Sequence, residues 1–290
     1  MRSGKILVVG ATGRVGGAAV EQLLEAGFEV RALVRRPEKG VRLRSLGAEL
    51  AVGDATAPDT LGPAVRGCCG VFSALGAGPG RGAPETVEYR GNLNLLSAAR
   101  WAGIGRFVYS SVHLADHPLA QEVGAFREKA RFERELLAAE DVSSTILRPA
   151  IFMETLDMMI QGPVAFVPGR QRRPVSWIAA RDIARAAVQA FQADILGRHE
   201  LAGPDTTTFD GAFERLTRGG GKRIRVLHIP LIAMRLYGRV SPYARELANM
   251  MAFFDAVGFA ADASVLRDNF GVPALTIEQW AGEDRQLESD

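Results

Sequence analysis

The run Lys5-Ile6-Leu7-Val8-Val9-Gly10-Ala11-Thr12-Gly13-Arg14-Val15-Gly16-Gly17 leaves this chain few folds to choose from. Lys5 to Val9 reads as a short buried strand, apolar after its first residue and rich in β-branched side chains. Three glycines follow at a three-residue step. Residues 18 to 26 then carry apolar side chains at helical spacing and stop at Gly27. Gly10 lets the chain turn sharply off the strand, Gly13 removes a side chain where a diphosphate must approach backbone, and Gly16 lets helix and strand pack closely. The free N–H groups at the helix start then face an anion, assisted by the helix dipole. A second strand, Phe28 to Val34, comes next, so strand, glycines, helix and strand stand in dinucleotide-binding order.

The end of that second strand sets the cofactor. NAD-preferring sites place an acid there for the ribose hydroxyl. Here Arg35 and Arg36 stand in its place. A guanidinium fork suits a 2′-phosphate dianion and not a neutral hydroxyl. The reading is NADP(H), with NAD(H) as the alternative. Arg35 is the first-choice ligand, and Arg14 and Arg36 assist it.

Further along, Glu49 to Val52 reads as a third strand, followed by Gly53-Asp54-Ala55-Thr56. A fourth, Gly70 to Ala74, leads into the small-residue loop Leu75-Gly76-Ala77-Gly78-Pro79-Gly80. A long helix from Glu85 to Ala102 ends in Gly103-Ile104-Gly105, and Arg106 to Ser110 forms a fifth strand before Ser111.

The G-x-x-G-x-x-G spacing resembles the extended and atypical short-chain dehydrogenase/reductases, and within them the NmrA-like, NAD(P)-binding group. The run Asn94-Leu95-Leu96-Ser97-Ala98-Ala99-Arg100-Trp101-Ala102-Gly103-Ile104-Gly105-Arg106-Phe107-Val108-Tyr109-Ser110-Ser111 matches that group in length and order. So does Lys129 with Glu133 and Leu136, followed by Thr145-Ile146-Leu147-Arg148-Pro149-Ala150-Ile151-Phe152-Met153-Glu154.

The resemblance implies an α/β fold, a Rossmann-type doubly wound parallel sheet with a smaller C-terminal substrate lobe. Residues 1-150 would bind the dinucleotide, with segments around 175-192 returning to that domain. Residues 151-290 would form the lobe that covers the nicotinamide. The implied cofactor contacts are Gly10, Thr12, Gly13, Arg14, Val15, Gly16, Arg35, Arg36, Asp54, Ala55, Ala74, Leu75, Gly76, Ser110, Lys129, Pro149, Ala150 and Ile151. Asp54 would face the adenine amino group or cap the segment after Pro58. Ser110, Ser111 and Lys129 are the catalytic candidates: a serine for the substrate carbonyl, the lysine for the nicotinamide ribose.

One departure matters. Ordinary short-chain reductases carry a tyrosine four residues before the lysine, whose depressed pKa lets it pass a proton to the substrate oxygen. Here that position is Ala125, which has no proton to give. A quinone or enone tolerates this, because a quinone can take its proton from water. The function expected is therefore an NADPH-dependent reductase of a small apolar organic substrate. The alternative is a non-enzymatic NAD(P)-sensing regulator of the NmrA type, with a protein partner. Sugar-nucleotide epimerase chemistry fits badly, since it leans on the missing tyrosine.

Composition narrows the remainder. A chain of 290 residues with 47% hydrophobic and 23% charged residues has the balance of an ordinary globular protein. No apolar run is long enough to span a bilayer, and the first strand starts almost at Met1, which points to the cytoplasm and to no membrane partner. Adjacent Cys68 and Cys69 read as small packed residues and not as a redox pair. The clusters Arg170-Gln171-Arg172-Arg173 and Lys222-Arg223-Ile224-Arg225 are short, broken runs on a chain of net charge +2, so solvated loop charge is expected there and nucleic acid is not. No metal-ligand spacing joins the four histidines. Phe152, Met153, Met158 and Met159 are pocket wall or core. Asp182 caps or braces the helix after it. A helix after Pro230 with Leu231, Met234, Leu236 and Tyr237 belongs to the lobe, and the chain is a monomer or homodimer.

Overall fold

The computed structural model describes residues 4–77, 82–220 and 223–287. Gly78 to Gly80 of the small-residue loop, and Gly221 and Lys222, lie outside them. The chain divides into two compact units. The first comprises Met1–Asp116, Gly124–Arg148 and Ile183–His199; the second comprises His117–Val123, Pro149–Asp182 and Glu200–Asp290.

The first unit starts with β1 (Lys5–Val9), α1 (Arg14–Glu25), β2 (Glu29–Val34), α2 (Val41–Ser45), β3 (Glu49–Val52), α3 (Leu61–Val65) and β4 (Cys68–Ser73). A π-helical turn, Glu85–Gly91, then leads into α4 (Asn92–Trp101), β5 (Arg106–Ser110), α5 (Gly124–Ala138) and β6 (Ser143–Pro149). The helix expected over residues 85–102 is thus two structures: its first seven residues close five-residue hydrogen-bonded turns, and the α-helix proper begins at Asn92. α1 starts four residues earlier than its apolar spacing indicates, because Gly16 and Gly17 sit inside the helix. Cys68 and Cys69 open β4 side by side, so the strand's alternation buries the first and exposes the second, where both had been expected to pack.

The chain continues through β7 (Ile151–Phe152), α6 (Thr155–Met159), β8 (Ile160–Gln161), β9 (Val164–Pro168) and β10 (Val175–Ile178) to α7 (Ala180–Gln192) and β11 (Gly197–Leu201). One seven-stranded sheet has the order β11-β6-β5-β4-β1-β2-β3. Its pairings β3–β2, β2–β1, β1–β4, β4–β5 and β5–β6 are all parallel. Central parallel strands are covered on both faces, which is why β1 and β4 read as unbroken apolar runs. Leu7, Val71, Leu95, Phe107, Tyr109, Phe132 and Ile146 meet in one core on one side of this sheet. Strand order reverses between β1 and β4, and the crevice at such a switch point is where doubly wound sheets hold ligands.

The second unit carries β12 (Thr206–Thr207), α8 (Phe209–Gly220), β13 (Arg225–Ile229), α9 (Leu231–Tyr237), α10 (Pro242–Val257), α11 (Ser264–Phe270) and α12 (Ile277–Leu287). Its two small sheets are ordered β12-β10-β7 and β13-β9-β8. Trp177, fully buried, stacks edge-on against Phe209 with centroids 5.0 Å apart. Among the described residues no helix is long and apolar enough to cross a membrane.

Candidate functional site

At the carboxyl ends of β1 to β4 the first unit has an open cleft. Gly10 and Thr12 line it from the glycine loop, Leu33 and Arg35 from β2 and its end, Gly53 to Thr56 from the loop after β3, Leu75 and Gly76 from the loop after β4, and Val87 from the π turn. Gly10, Thr12, Arg35, Asp54, Ala55, Leu75 and Gly76 are seven of the residues the sequence picked out. Gly13, Arg14, Val15 and Gly16 form the cap and first turn of α1, and Ala74 is the residue against which Gly10 packs. Arg36 is exposed one residue beyond Arg35.

The loop has the shape a bound diphosphate needs. Gly10 has φ +78°, and a Cβ there would lie 2.4 Å from the Ala74 carbonyl oxygen. A Cβ on Gly16 would lie 2.2 Å from the carbonyl oxygen of Gly10. Both contacts are with backbone, so no side chain can move aside. The helix that follows has Gly13 as its cap residue, with no side-chain cap, and no acid in its first turn. No acid of its own first turn competes for its amino-terminal N–H groups and dipole, as suits an anion-binding terminus. Among the described residues, no hydrogen bond or ion pair engages the guanidinium groups of Arg35 and Arg36. Asp54 is partly engaged: its Oδ1 accepts the Thr56 N–H at 2.9 Å and the Thr56 hydroxyl at 2.8 Å, an Asx turn, while its own N–H donates to Thr60 Oγ1. These groups fit a dinucleotide.

The catalytic candidates gather where β4 and β5 end. Lys129, on α5, donates to the Ser110 carbonyl at 3.1 Å and to the Leu75 carbonyl at 3.4 Å, and its ammonium lies 5.3 Å from the centre of the Tyr109 ring. The same ammonium is 2.9 Å from the Glu88 carboxylate, and the two side chains are only 13% and 2% exposed. Glu88 takes the Ala77 N–H at 2.7 Å on its other oxygen, so one carboxylate ties the small-residue loop to Lys129. The π turn itself is anchored: Asn92 donates to the Glu88 carbonyl at 2.8 Å and accepts the Ser73 hydroxyl at 2.6 Å. π turns are frequent at functional sites, where the extra residue swings a side chain out of helical register. Glu88 was not anticipated. One signal was available: Glu88, Asn92 and Leu96 share an i, i+4, i+8 stripe, an acid on a face that is otherwise buried.

Ser111 points into a different network. Its hydroxyl donates to Glu133, one turn beyond Lys129 on α5, and its N–H donates to the Leu147 carbonyl at 2.7 Å. Glu133 is 2% exposed and is gripped by Arg148, through Nε at 3.0 and 3.1 Å and through a terminal nitrogen at 2.5 Å. Arg148 also reaches Asp116 at 3.1 and 3.3 Å. Burial works against charge on Asp116, but the Arg148 hydrogen bonds and charge prevail and hold its carboxyl below the usual range. Ser110 and Ser111 are both buried, so α5 clasps the end of β5 twice, by Lys129 on a carbonyl and by Glu133 on a hydroxyl.

Tyr109 does not replace the missing proton donor. It is fully buried, its hydroxyl has no hydrogen-bond partner among the described residues, and burial, seconded by Glu88 and Glu133, pushes its pKa well above the ordinary tyrosine value. Ala125 lies on the first turn of α5.

The other expected residues belong to the second unit or its border. Pro149 ends β6, the Ala150 N–H donates to the Leu201 carbonyl at 2.8 Å, and Ile151 pairs with Trp177. Met153 is fully buried and Met158 is 55% exposed. Asp182 is fully buried and accepts the Leu275 N–H at 3.0 Å, so it braces the segment before α12.

The model of the NmrA-like family matches residues 2–283. An NAD(P)H azoreductase of Xenophilus azovorans is 31% identical, over 95% of this chain and 96% of its own length. A photosystem II assembly factor of Synechocystis sp. is 26% identical, over 96% of this chain and 90% of its own. An NADPH-dependent quinone oxidoreductase of Escherichia coli, crystallised with NADPH, has the same fold at TM-score 0.79 and 22% identity, over 97% of this chain and 99% of that one.

Proposed function

This chain belongs to the NmrA-like family, and from that premise we propose that it is an NADPH-dependent reductase of a small apolar organic substrate such as a quinone or enone. The observation that carries the reading is the cleft whose glycine loop has no room for a side chain and whose rim holds Arg35, with Lys129 at the neighbouring strand ends. The N–H groups of Arg14, Val15 and Gly16 would hold the diphosphate, Arg35 the 2′-phosphate with Arg14 and Arg36 beside it, and Asp54 and Ala55 the adenosine. Lys129, 2.9 Å from the Glu88 carboxylate, would hold the nicotinamide ribose. When bound, the dinucleotide supplies a hydride. The protein's part is to orient, with Ser110 and Ser111 fixing the end of β5. Ala125 offers no proton, so the substrate class is one whose reduced form takes its proton from water. A relative that reduces azo compounds and a fold neighbour that oxidises NADPH with quinones both support this class.

The test is NADPH oxidation against a panel of quinones and enones at saturating NADPH. Turnover with at least one is expected, and none with any of them would overturn the reading. One observation favours a second reading. The site keeps its lysine while lacking the proton donor, as a dinucleotide sensor would, and one relative is named for assembling another complex. A sensor would bind NADPH and NADP with clearly different affinity, turn over nothing, and pull down one protein partner.

A further inference from the structure

The outward face of α9 is apolar. Of the fourteen large hydrophobic residues that are exposed among the described residues, six fall between 227 and 243: Leu227, Ile232, Leu236, Tyr237, Val240 and Tyr243. Seventeen residues of 290 would hold about one by chance scatter, and singly scattered apolar side chains need no explanation. This cluster does. α9 buries none of its own residues completely. Backbone hydrogen bonds of helical type continue through Ser241, from Gly238 to Met234 and from Val240 and Ser241 to Tyr237. At about 100° per residue, Leu231, Met234 and Gly238 then share the inward side. Leu231 and Met234 are half-buried and Gly238 is buried, pressed so close to α10 that a Cβ would lie 2.9 Å from the Arg245 Cα. Ile232, Leu236 and Val240 fall on the opposite side, with Arg235 and Arg239 along one flank. The helix is inverted, with its larger apolar stripe turned away from the protein.

Its charge is one-sided. From Arg215 through Arg245 the sequence contains no Asp or Glu. Arg223, Arg225, Arg235, Arg239 and Arg245 are all exposed, and none makes an ion pair among the described residues. Glu214 and Glu246 bound this run in sequence, and Asp210 lies 3.0 Å from His228. Apolar side chains flanked by arginines that make no ion pair among the described residues do not complement a second copy of themselves. They complement an anionic bilayer: the apolar stripe enters the headgroup boundary, tyrosines sit at the interface, and arginines meet lipid phosphates. We infer that residues 223–245 form a peripheral docking surface for anionic membrane. This concerns the surface only and needs no spanning segment, whose lack in the sequence had suggested no membrane partner. It does not rest on the reductase reading.

The experiment is co-sedimentation of the full chain with vesicles of phosphatidylcholine alone or with 30 mol% phosphatidylglycerol, at low and high salt. Binding to the anionic vesicles only, weakened by salt, is expected. Arg235→Gln with Arg239→Gln should weaken it about thirtyfold, and Ile232→Asp with Leu236→Asp should abolish it. All four positions are exposed, and circular dichroism with NADPH titration checks that these variants stay folded. Three results would overturn the inference: no binding to either vesicle, equal binding to both, or anionic binding indifferent to the Ile232 and Leu236 changes. Tighter binding to duplex DNA or to an acidic protein than to the vesicles would do so as well.

Discussion

The Lys129 ammonium and the Glu88 carboxylate stand 2.9 Å apart, and both are withdrawn from solvent. They come from elements forty residues apart, a π turn and α5. Their meeting links three parts of the nucleotide-binding unit: the loop after β4 through Ala77, the end of β5 through the Ser110 carbonyl, and α5 itself.

Removing that carboxylate's charge leaves Lys129 poorly compensated. Glu88→Gln should lower stability by about 1–3 kcal/mol, read as a shift in the denaturant midpoint. Lys129→Ala should weaken NADPH binding roughly tenfold or more, the cost of one charged hydrogen bond, in a fluorescence titration. An unchanged midpoint in the first and an unchanged affinity in the second would remove Lys129 and Glu88 from the site.

Arg148 and Glu133 form a pair whose loss should be felt in stability. Truncating Glu133 leaves the buried Arg148 with only the half-exposed Asp116 as partner, so Glu133→Ala should cost about 3 kcal/mol in chemical denaturation. The double change Glu133→Leu with Arg148→Met should recover much of it, because apolar residues of similar volume need no partner. A double variant as unstable as the single one would show that the network does more than satisfy its own charges.

Cys68 and Cys69 should differ sharply towards a thiol reagent. Cys68 is buried, and burial pushes its thiol pKa up, while Cys69 is exposed. The native chain should therefore yield one rapidly titrating thiol, lost in Cys69→Ser, and a second only on unfolding. Two fast thiols would contradict the burial of Cys68.

Much of this was written locally in the chain. The glycine loop and the parallel strands are legible because each depends on residues close in sequence: steric need at Gly10 and Gly16, apolar runs in β1 and β4. Lys129 is legible only through the family resemblance, since its partners Leu75, Glu88 and Ser110 lie far from it in sequence. Glu88 was hidden because its role depends on a π turn, and a one-residue change of register cannot be read from helical periodicity. Ser111 reads as a serine facing the substrate carbonyl until Glu133 and Arg148 arrive from other elements. Leu236 and Tyr237 read as part of a lobe helix, and nothing in their spacing says which side of it faces solvent. Here Gly238 makes the close approach to α10, and the larger side chains are left outside.

The account stands on a pyrophosphate held by the backbone around residues 10 to 16 and a 2′-phosphate held by Arg35. Calorimetric titration of the native chain, Arg35→Ala and Gly16→Val with NADPH and NADH tests it most directly. The native chain should prefer NADPH, Arg35→Ala should lose about tenfold or more of that preference, and Gly16→Val should bind neither. Absence of heat from the native chain with both nucleotides would contradict the account at its root.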